Sequence, residues 1–302
     1  MRRPTAEQID AHCQQYGVTP DVAWRDYLQL RLAEAASRDV KLKLLCVWKG
    51  AFVMRYVLQS PRASGDLDAT VGTNKDHIDP PQIRARLMKA TEDLGIEIPK
   101  ASDPDPGDQS VSFDPIEWRD ADIGTPVFTS IDLSMREDLV LEPHLRTIKV
   151  ALMDPFDILH MDLNEQAAEK MRCLAQRSKV GDGMDVLLLW TLGGLDHHLV
   201  RSVTPKKLTS GRDHRADASA GVDRRYTAWD NQRGRELPHN APSRDEMREA
   251  CFAAIDKWIP APLDRANCSG RAPRRSARCR VSNVALGESL GKRTGNGPCG
   301  AR

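Results

Sequence analysis

The sequence predicts a mixed α/β (α+β) fold followed by a helical half, and three observations carry that prediction. Residues 19–36 repeat apolar side chains at helical spacing ahead of a short apolar run that ends at Gly50. Strand-like stretches, alternating or apolar, then recur at 66–71, 110–118, 126–135 and 146–153, as half-buried strands require. From Leu163 the composition turns to Ala, Glu, Gln, Leu and Met, the residues that favour helices.

In "TPDVAWRDYLQLRLAEAA" (Thr19–Ala36) the apolar positions Val22, Trp24, Tyr27, Leu28, Leu30, Leu32 and Ala35 mark an amphipathic helix. Pro20 sits near its start, where a missing N–H costs nothing. "LKLLCVW" (Leu42–Trp48) suits a buried strand that delivers a tight turn at Lys49-Gly50, and Ala51–Leu58 reads as a short helix broken by Pro61. On a strand over Asp66–Val71, Asp66, Asp68 and Thr70 share one face while Leu67, Ala69 and Val71 share the other. "PPQIRARLMKATEDLGI" is a helix opened by proline and closed at Gly95. Further on, Phe128, Ser130, Asp132 and Ser134 alternate with Thr129, Ile131 and Leu133, which supplies a third strand-borne carboxylate. "LNEQAAEKMRCLAQR" (Leu163–Arg177) is a helix, and Asp182 and Asp185 stand ahead of the helical run Val186–Leu192, where the helix dipole favours them.

Charge is distributed unevenly. Residues 1–200 carry 23 Lys/Arg against 32 Asp/Glu, and residues 201–302 carry 21 against 11. The basic part has few clustered apolar residues, so 203–302 is expected to be a largely disordered or degenerate tail with one helix near 246–259. Its Arg224, Arg225, Arg271, Arg274, Arg275, Arg278 and Arg280 would attract nucleic acid electrostatically, with Tyr226 and Trp229 as its aromatic positions. Seven scattered cysteines with no Cys-x-x-Cys pair suggest neither a disulfide framework nor a zinc site. The N-terminus lacks an apolar signal core and no run approaches the ~18 apolar residues of a membrane helix, so a cytoplasmic protein without a membrane partner is expected. No Gly-x-Ser-x-Gly elbow supports a hydrolase.

The sharpest feature is the Asp66/Asp68 pair. Two carboxylates on alternate strand positions, joined by Asp132, offer hard oxygens to Mg²⁺ (or Mn²⁺), the ions that bridge the phosphates of an NTP. An isolated Asp-x-Asp is common at loop edges, but here it follows the Gly50 turn and Ser64, groups suited to phosphate oxygens.

The order "KGAFVMR", "RASGDLD", a strand with Asp132, "AEKMRCLAQR" and "GDGMDVLLL" resembles the AbiEii/AbiGii nucleotidyltransferase toxin family over roughly residues 10–195. The resemblance implies a DNA-polymerase-β-like nucleotidyltransferase core (1–150) and a helical domain that completes the active site (151–202). It also implies the toxin role of a type IV toxin–antitoxin or abortive-infection system in phage defence. On the matching positions it assigns Lys49, Gly50, Arg62, Ser64, Lys170 and Asp182 to the nucleotide, Asp66, Asp68 and Asp132 to the metal, and Asp66, Asp68, Lys170 and Asp185 to catalysis. An RNA or tRNA acceptor and a cognate winged-helix-type antitoxin are the partners it implies. Three departures bear on activity: Ala51 replaces the second glycine of the turn, adding only a methyl; Phe52 follows it, where bulk is expected to narrow the pocket; and Gly181 replaces an arginine of the pattern, removing a positive charge. The alternatives are an inactive NTP-binding relic and a nucleic-acid-binding module led by the basic tail.

Overall fold

A capping box starts the chain. Thr5 accepts from the Gln8 backbone while the Gln8 side chain accepts from the Thr5 N–H, and helix α1 (Ala6–Tyr16) runs from there to a left-handed Gly17. Helix α2 (Pro20–Arg38) follows and is buried along nearly its whole second half. What the sequence reads as a single strand, 42–48, is two elements. Asp39 accepts from the N–H groups of Lys41 and Leu42 and caps helix α3 (Val40–Leu45), so only β1 (Cys46–Lys49) pairs in the sheet. Short apolar runs have no periodicity to separate helix from strand, and here the cap decides.

The computed structural model describes residues 3–72, 79–102, 110–121, 123–135, 138–177, 179–192, 194–208, 214–236 and 242–260. After β1 come α4 (Gly50–Leu58), β2 (Leu67–Val71) and α5 (Pro80–Ala90), then β3 (Ser110–Trp118), β4 (Val127–Ser134), β5 (His144–Val150) and β6 (Met153–His160). The six strands form one mixed sheet in the order β3-β4-β2-β1-β6-β5, with β2–β4 and β1–β6 parallel and the other neighbours antiparallel. Strand β6 has no sequence counterpart among the expected elements: Asp154, Pro155 and Asp157 interrupt its apolar residues because it forms the outer hairpin with β5 and leaves those positions exposed. Helix α2 packs against β4 and β6, and Tyr27, Trp48, Phe113 and Trp118 belong to the core it shares with the sheet.

Helices α6 (Leu163–Gln176), α7 (Val180–Thr191), α8 (His197–Lys207), α9 (His214–Glu236) and α10 (Arg244–Trp258) complete the described chain around a second core that includes Met171, Val186, Trp229 and Trp258. Helix α4 serves both cores: Phe52 and Val53 point into the first and Met54 into the second. Helix α7 begins at Val180, so Asp182 and Asp185 lie on the helix itself rather than ahead of it.

The helix expected near 246–259 is α10, but α9 and the end of α8 differ from the disordered basic tail expected of them. Ala218, Val222, Arg225 and Trp229 are spaced four, three and four residues apart, one buried stripe on α9. An arginine in the middle of that stripe hides it from a hydrophobicity reading. Arg225 is not a nucleic-acid contact: it donates to the carbonyls of Cys173 (2.7 Å), Leu174 (3.1 Å) and Lys179 (2.9 Å) and to that of Arg177, closing the C-terminal end of α6. Trp229 is likewise core. Gly221 permits the approach, since a Cβ there would lie 1.8 Å from the Leu174 carbonyl oxygen. Arg271, Arg274, Arg275, Arg278 and Arg280 lie outside the described residues.

Candidate active site

Strand register brings the carboxylates together. Lys49 on β1 stands opposite Asp68 on β2, Asp68 opposite Asp132 on β4, and Asp132 opposite Ser112 on β3, so four strands contribute one row of polar side chains. Oxygens of Asp66, Asp68 and Asp132 lie within 4.8 Å of one another. The opposite face of β4, with Val127, Thr129, Ile131 and Leu133, is buried in the core. Alternation thus holds the carboxylates on the face that opens toward α6.

That face borders a cavity of about 500 Å³, lined from the sheet by Lys49, Gly50, Asp68 and Asp132 and from α6 by Gln166, Lys170 and Arg177, among others. Burial, reinforced by the adjacent Asp66 carboxylate, raises the Asp68 pKa to about 6 against the opposing pull of Lys49 and Lys170. A cluster of converging carboxylates that resists its own negative charge fits a hard divalent cation, and every donor in it is an oxygen. Gly50 has φ +68°, and a Cβ there would meet Asp68 Oδ2 at 2.6 Å. Only glycine supports both the backbone angle and that approach. The Gly50 N–H donates to Gln166 Oε1 (3.1 Å), tying the turn to α6.

Lys170 is buried, and its ammonium bridges two carboxylates of α7: Asp185 Oδ2 at 2.6 Å and Asp182 Oδ1 at 3.1 Å. The acidic residues of its own helix are taken by others: Lys207 pairs with Glu165 and Glu169, and Arg172 also with Glu169. Arg62 donates through Nη1 to both oxygens of Asp185 (3.2 and 3.0 Å), and Arg177 grips Asp182 through Nε (2.8 Å) and Nη2 (2.9 Å). Burial alone would push Asp182 upward, yet Lys170 and Arg177 more than offset it and hold the carboxyl well below its ordinary range.

The structure therefore sorts the expected site residues into two layers. Lys49, Gly50, Asp68, Asp132 and Lys170 line the cavity, and Asp66 joins the carboxylate cluster. Asp182, Asp185 and Arg62 form the buried ion network that anchors Lys170. Ser64 is also buried, its hydroxyl donating to the backbone oxygen of Asp66 (2.7 Å) and to Asp66 Oδ1 (3.0 Å). It fixes the turn into β2, a position different from the phosphate contact expected of it. The loop before β2 is held from below: Gln29 Nε2 reaches the Ser64 carbonyl (3.2 Å) and Thr129 Oγ1 (3.0 Å), while Arg55, paired with buried Asp26, donates to the Pro61 carbonyl (3.0 Å).

Phe52 does not narrow the cavity. Its ring is buried against Trp48 and Tyr56, with centroids 5.7 and 5.0 Å apart. At Gly181 the Arg62 guanidinium takes up the space of a side chain: a Cβ there would lie 2.4 Å from it, and an arginine would require Arg62 to move. Gln166 and Arg177 are among the cavity residues that escaped the sequence reading. Gln166 had a signal, since it lies one turn before Lys170 and so shares its helix face. Arg177 closes the AEKMRCLAQR stretch, but its place in the cavity comes from the end of α6 and its grip on Asp182.

Comparison with known proteins returns the family described as nucleotidyl transferase AbiEii toxin, Type IV TA system, whose model matches residues 32–261. Among solved structures, MenT4, a nucleotidyltransferase toxin of Mycobacterium tuberculosis H37Rv, superposes with a TM-score of 0.53 at 15% identity, over 88% of this chain and 92% of its own. JHP933 of Helicobacter pylori gives 0.52 at 14% identity, over 79% and 92%. At such identities the likeness is one of fold. No curated protein matches the sequence.

Proposed function

The chain belongs to the AbiEii family of nucleotidyl transferase toxins of type IV toxin–antitoxin systems, and from that premise we propose that it transfers a nucleotide from an NTP to a hydroxyl of an RNA, with tRNA the leading acceptor, using Mg²⁺ or Mn²⁺. The observation that carries this reading is the facing of two opposite charges across one cavity: Asp66, Asp68 and Asp132 at the sheet, Lys170 at the wall of α6.

In this reading Asp66, Asp68 and Asp132 hold the metal, which supplies charge neutralisation and orientation of the triphosphate. Lys49 and Lys170 bind phosphate oxygens, and the Gly50 turn lets the phosphates approach the backbone at the start of α4. The acceptor hydroxyl attacks the α-phosphorus; the new P–O bond forms as the bond to pyrophosphate breaks. Asp132 takes the hydroxyl proton. Asp185 is the other aspartate that the sequence offers for that task, and its burial between Lys170 and Arg62 favours Asp132 instead. The part of Asp185 is to position Lys170.

The relic alternative drew on Phe52, Gly181 and the unusual tail; neither Phe52 nor Gly181 lines the cavity, and the last forty residues lie outside the described ones. The tail-led alternative loses Arg225 and Trp229 to the core. The cytoplasmic reading stays a proposal, alongside the fact that no described helix is long and apolar enough to cross a membrane. A winged-helix-type antitoxin as cognate partner is proposed from the family alone.

The test is label transfer from each α-labelled NTP to total bacterial RNA with Mg²⁺, comparing the intact protein with an Asp66→Ala/Asp68→Ala double variant. Labelled RNA that disappears in the variant is the expected result. Mn²⁺ should also raise the melting temperature of the intact protein and leave the variant unchanged, as binding to the folded state alone requires. A folded protein that labels no RNA with any NTP contradicts the proposal.

A further inference from the structure

Lys170 is not the only cation that the α6 wall presents to the cavity. Arg177, the residue at which α6 ends, is fixed at both of its ends. Its carbonyl accepts from buried Arg225, and its guanidinium grips Asp182 through Nε and Nη2. Asp182 is in turn bonded to Lys170 (3.1 Å), so one buried carboxylate orients two cations. The side chain nevertheless keeps 46% of its surface exposed and lines the same cavity as Lys170, Asp68 and Asp132.

The charge balance of the network gives this arrangement a purpose. Four cations, Arg62, Lys170, Arg177 and Arg225, the last at 3.9 Å, face two carboxylates, Asp182 and Asp185. Of these six groups only Lys170 and Arg177 line the cavity, so surplus positive charge reaches it across from the three aspartates of the sheet. The bidentate bond leaves Nη1 outside it. A planar guanidinium whose other edge is already clamped loses little freedom on gripping phosphate oxygens.

We propose that Arg177 is a triphosphate-binding residue of this cavity, held in place beside Lys170 by Asp182. The proposal rests on the reading of the cavity as a nucleotide site and extends it to a residue to which the sequence reading assigned no role. It also answers the charge missing at Gly181: a cation reaches Asp182 from the end of α6 instead of from the start of α7.

The experiment is equilibrium binding of NTP, NMP and inorganic tripolyphosphate to the full chain, with Arg177→Gln and Arg177→Lys variants and their melting temperatures. Loss of a charged hydrogen-bonding group predicts that Arg177→Gln binds NTP and tripolyphosphate weaker by roughly tenfold or more, with NMP binding unchanged. Arg177→Lys recovers part of the loss, and in turnover the NTP KM rises while the acceptor KM stays. Wild-type-like NTP binding by Arg177→Gln overturns the assignment, and so does an equal loss of NMP binding, which marks a structural role. An intact protein that binds none of the four NTPs or tripolyphosphate overturns the nucleotide reading and this assignment with it.

Discussion

Lys170 Nζ stands 2.6 Å from Asp185 Oδ2, both groups are buried, and the far side of the same carboxylate is held by Arg62. Removing one partner of a buried pair leaves the other charge uncompensated, at about 3–5 kcal/mol. Asp185→Ala should therefore lower stability by that order as well as abolish transfer. Urea unfolding monitored by tryptophan fluorescence measures it. A variant within about 0.5 kcal/mol of the wild type, the range of an ordinary surface change, would show that the network does not anchor Lys170.

Gly50 sets the distance between the phosphate turn and the carboxylate row. An alanine there combines an unfavourable left-handed backbone angle with a Cβ 2.6 Å from Asp68 Oδ2. Gly50→Ala is expected to cost about 1–3 kcal/mol of stability and, by displacing Asp68, to weaken Mn²⁺ binding in calorimetric titration. Unchanged Mn²⁺ affinity would mean that Asp68 is not a ligand or that the turn moves without it.

The α9 stripe makes a different claim, that the second half of the chain is core. Arg225→Met fills a similar volume but strips the last carbonyls of α6 of their buried donor. Each unsatisfied buried polar group costs about 1–3 kcal/mol, so the variant should unfold at a clearly lower urea concentration, whereas Arg224→Met, at an exposed neighbouring position, should not. Equal midpoints would return Arg225 to the surface role that its sequence context suggested.

How much was legible follows from what each element is made of. Alternation along β2 and β4 put Asp68 and Asp132 on the faces opposite Leu67 and Ile131, and the parallel register joins those two faces side by side. The alternation is local, so the sequence carries it. Strand β6 and helix α9 were not legible: Pro155 and Asp157 are exposed hairpin positions that break the apolar pattern of β6, and Arg225 on α9 takes its partners from the distant end of α6. Ser64 and Asp185 were readable as site residues but not as supporting ones. Nothing in "RASGDLD" says that the serine hydroxyl turns back onto Asp66, and nothing in "GDGMDV" says that its aspartates face Lys170.

The ion network also leaves a signature in pH. Asp182 is held below its ordinary range by Lys170 and Arg177 despite burial, so on acidification the unfolded chain takes up this proton before the folded one does. The stability that the carboxylate contributes is then complete above the unfolded value of about 3.9 and is lost as pH falls below it toward the lowered folded value. Asp182→Asn cannot titrate. Its deficit relative to the wild type should be largest and constant at neutral pH and should shrink steadily below about pH 4, because the other carboxylates titrate alike in both proteins. Urea midpoints of the pair between pH 7 and pH 3 make the comparison. A deficit that stays constant down to pH 3 would mean that the charge of Asp182 contributes nothing through its bonds to Lys170 and Arg177, and the anchoring of both cations would have to be sought elsewhere.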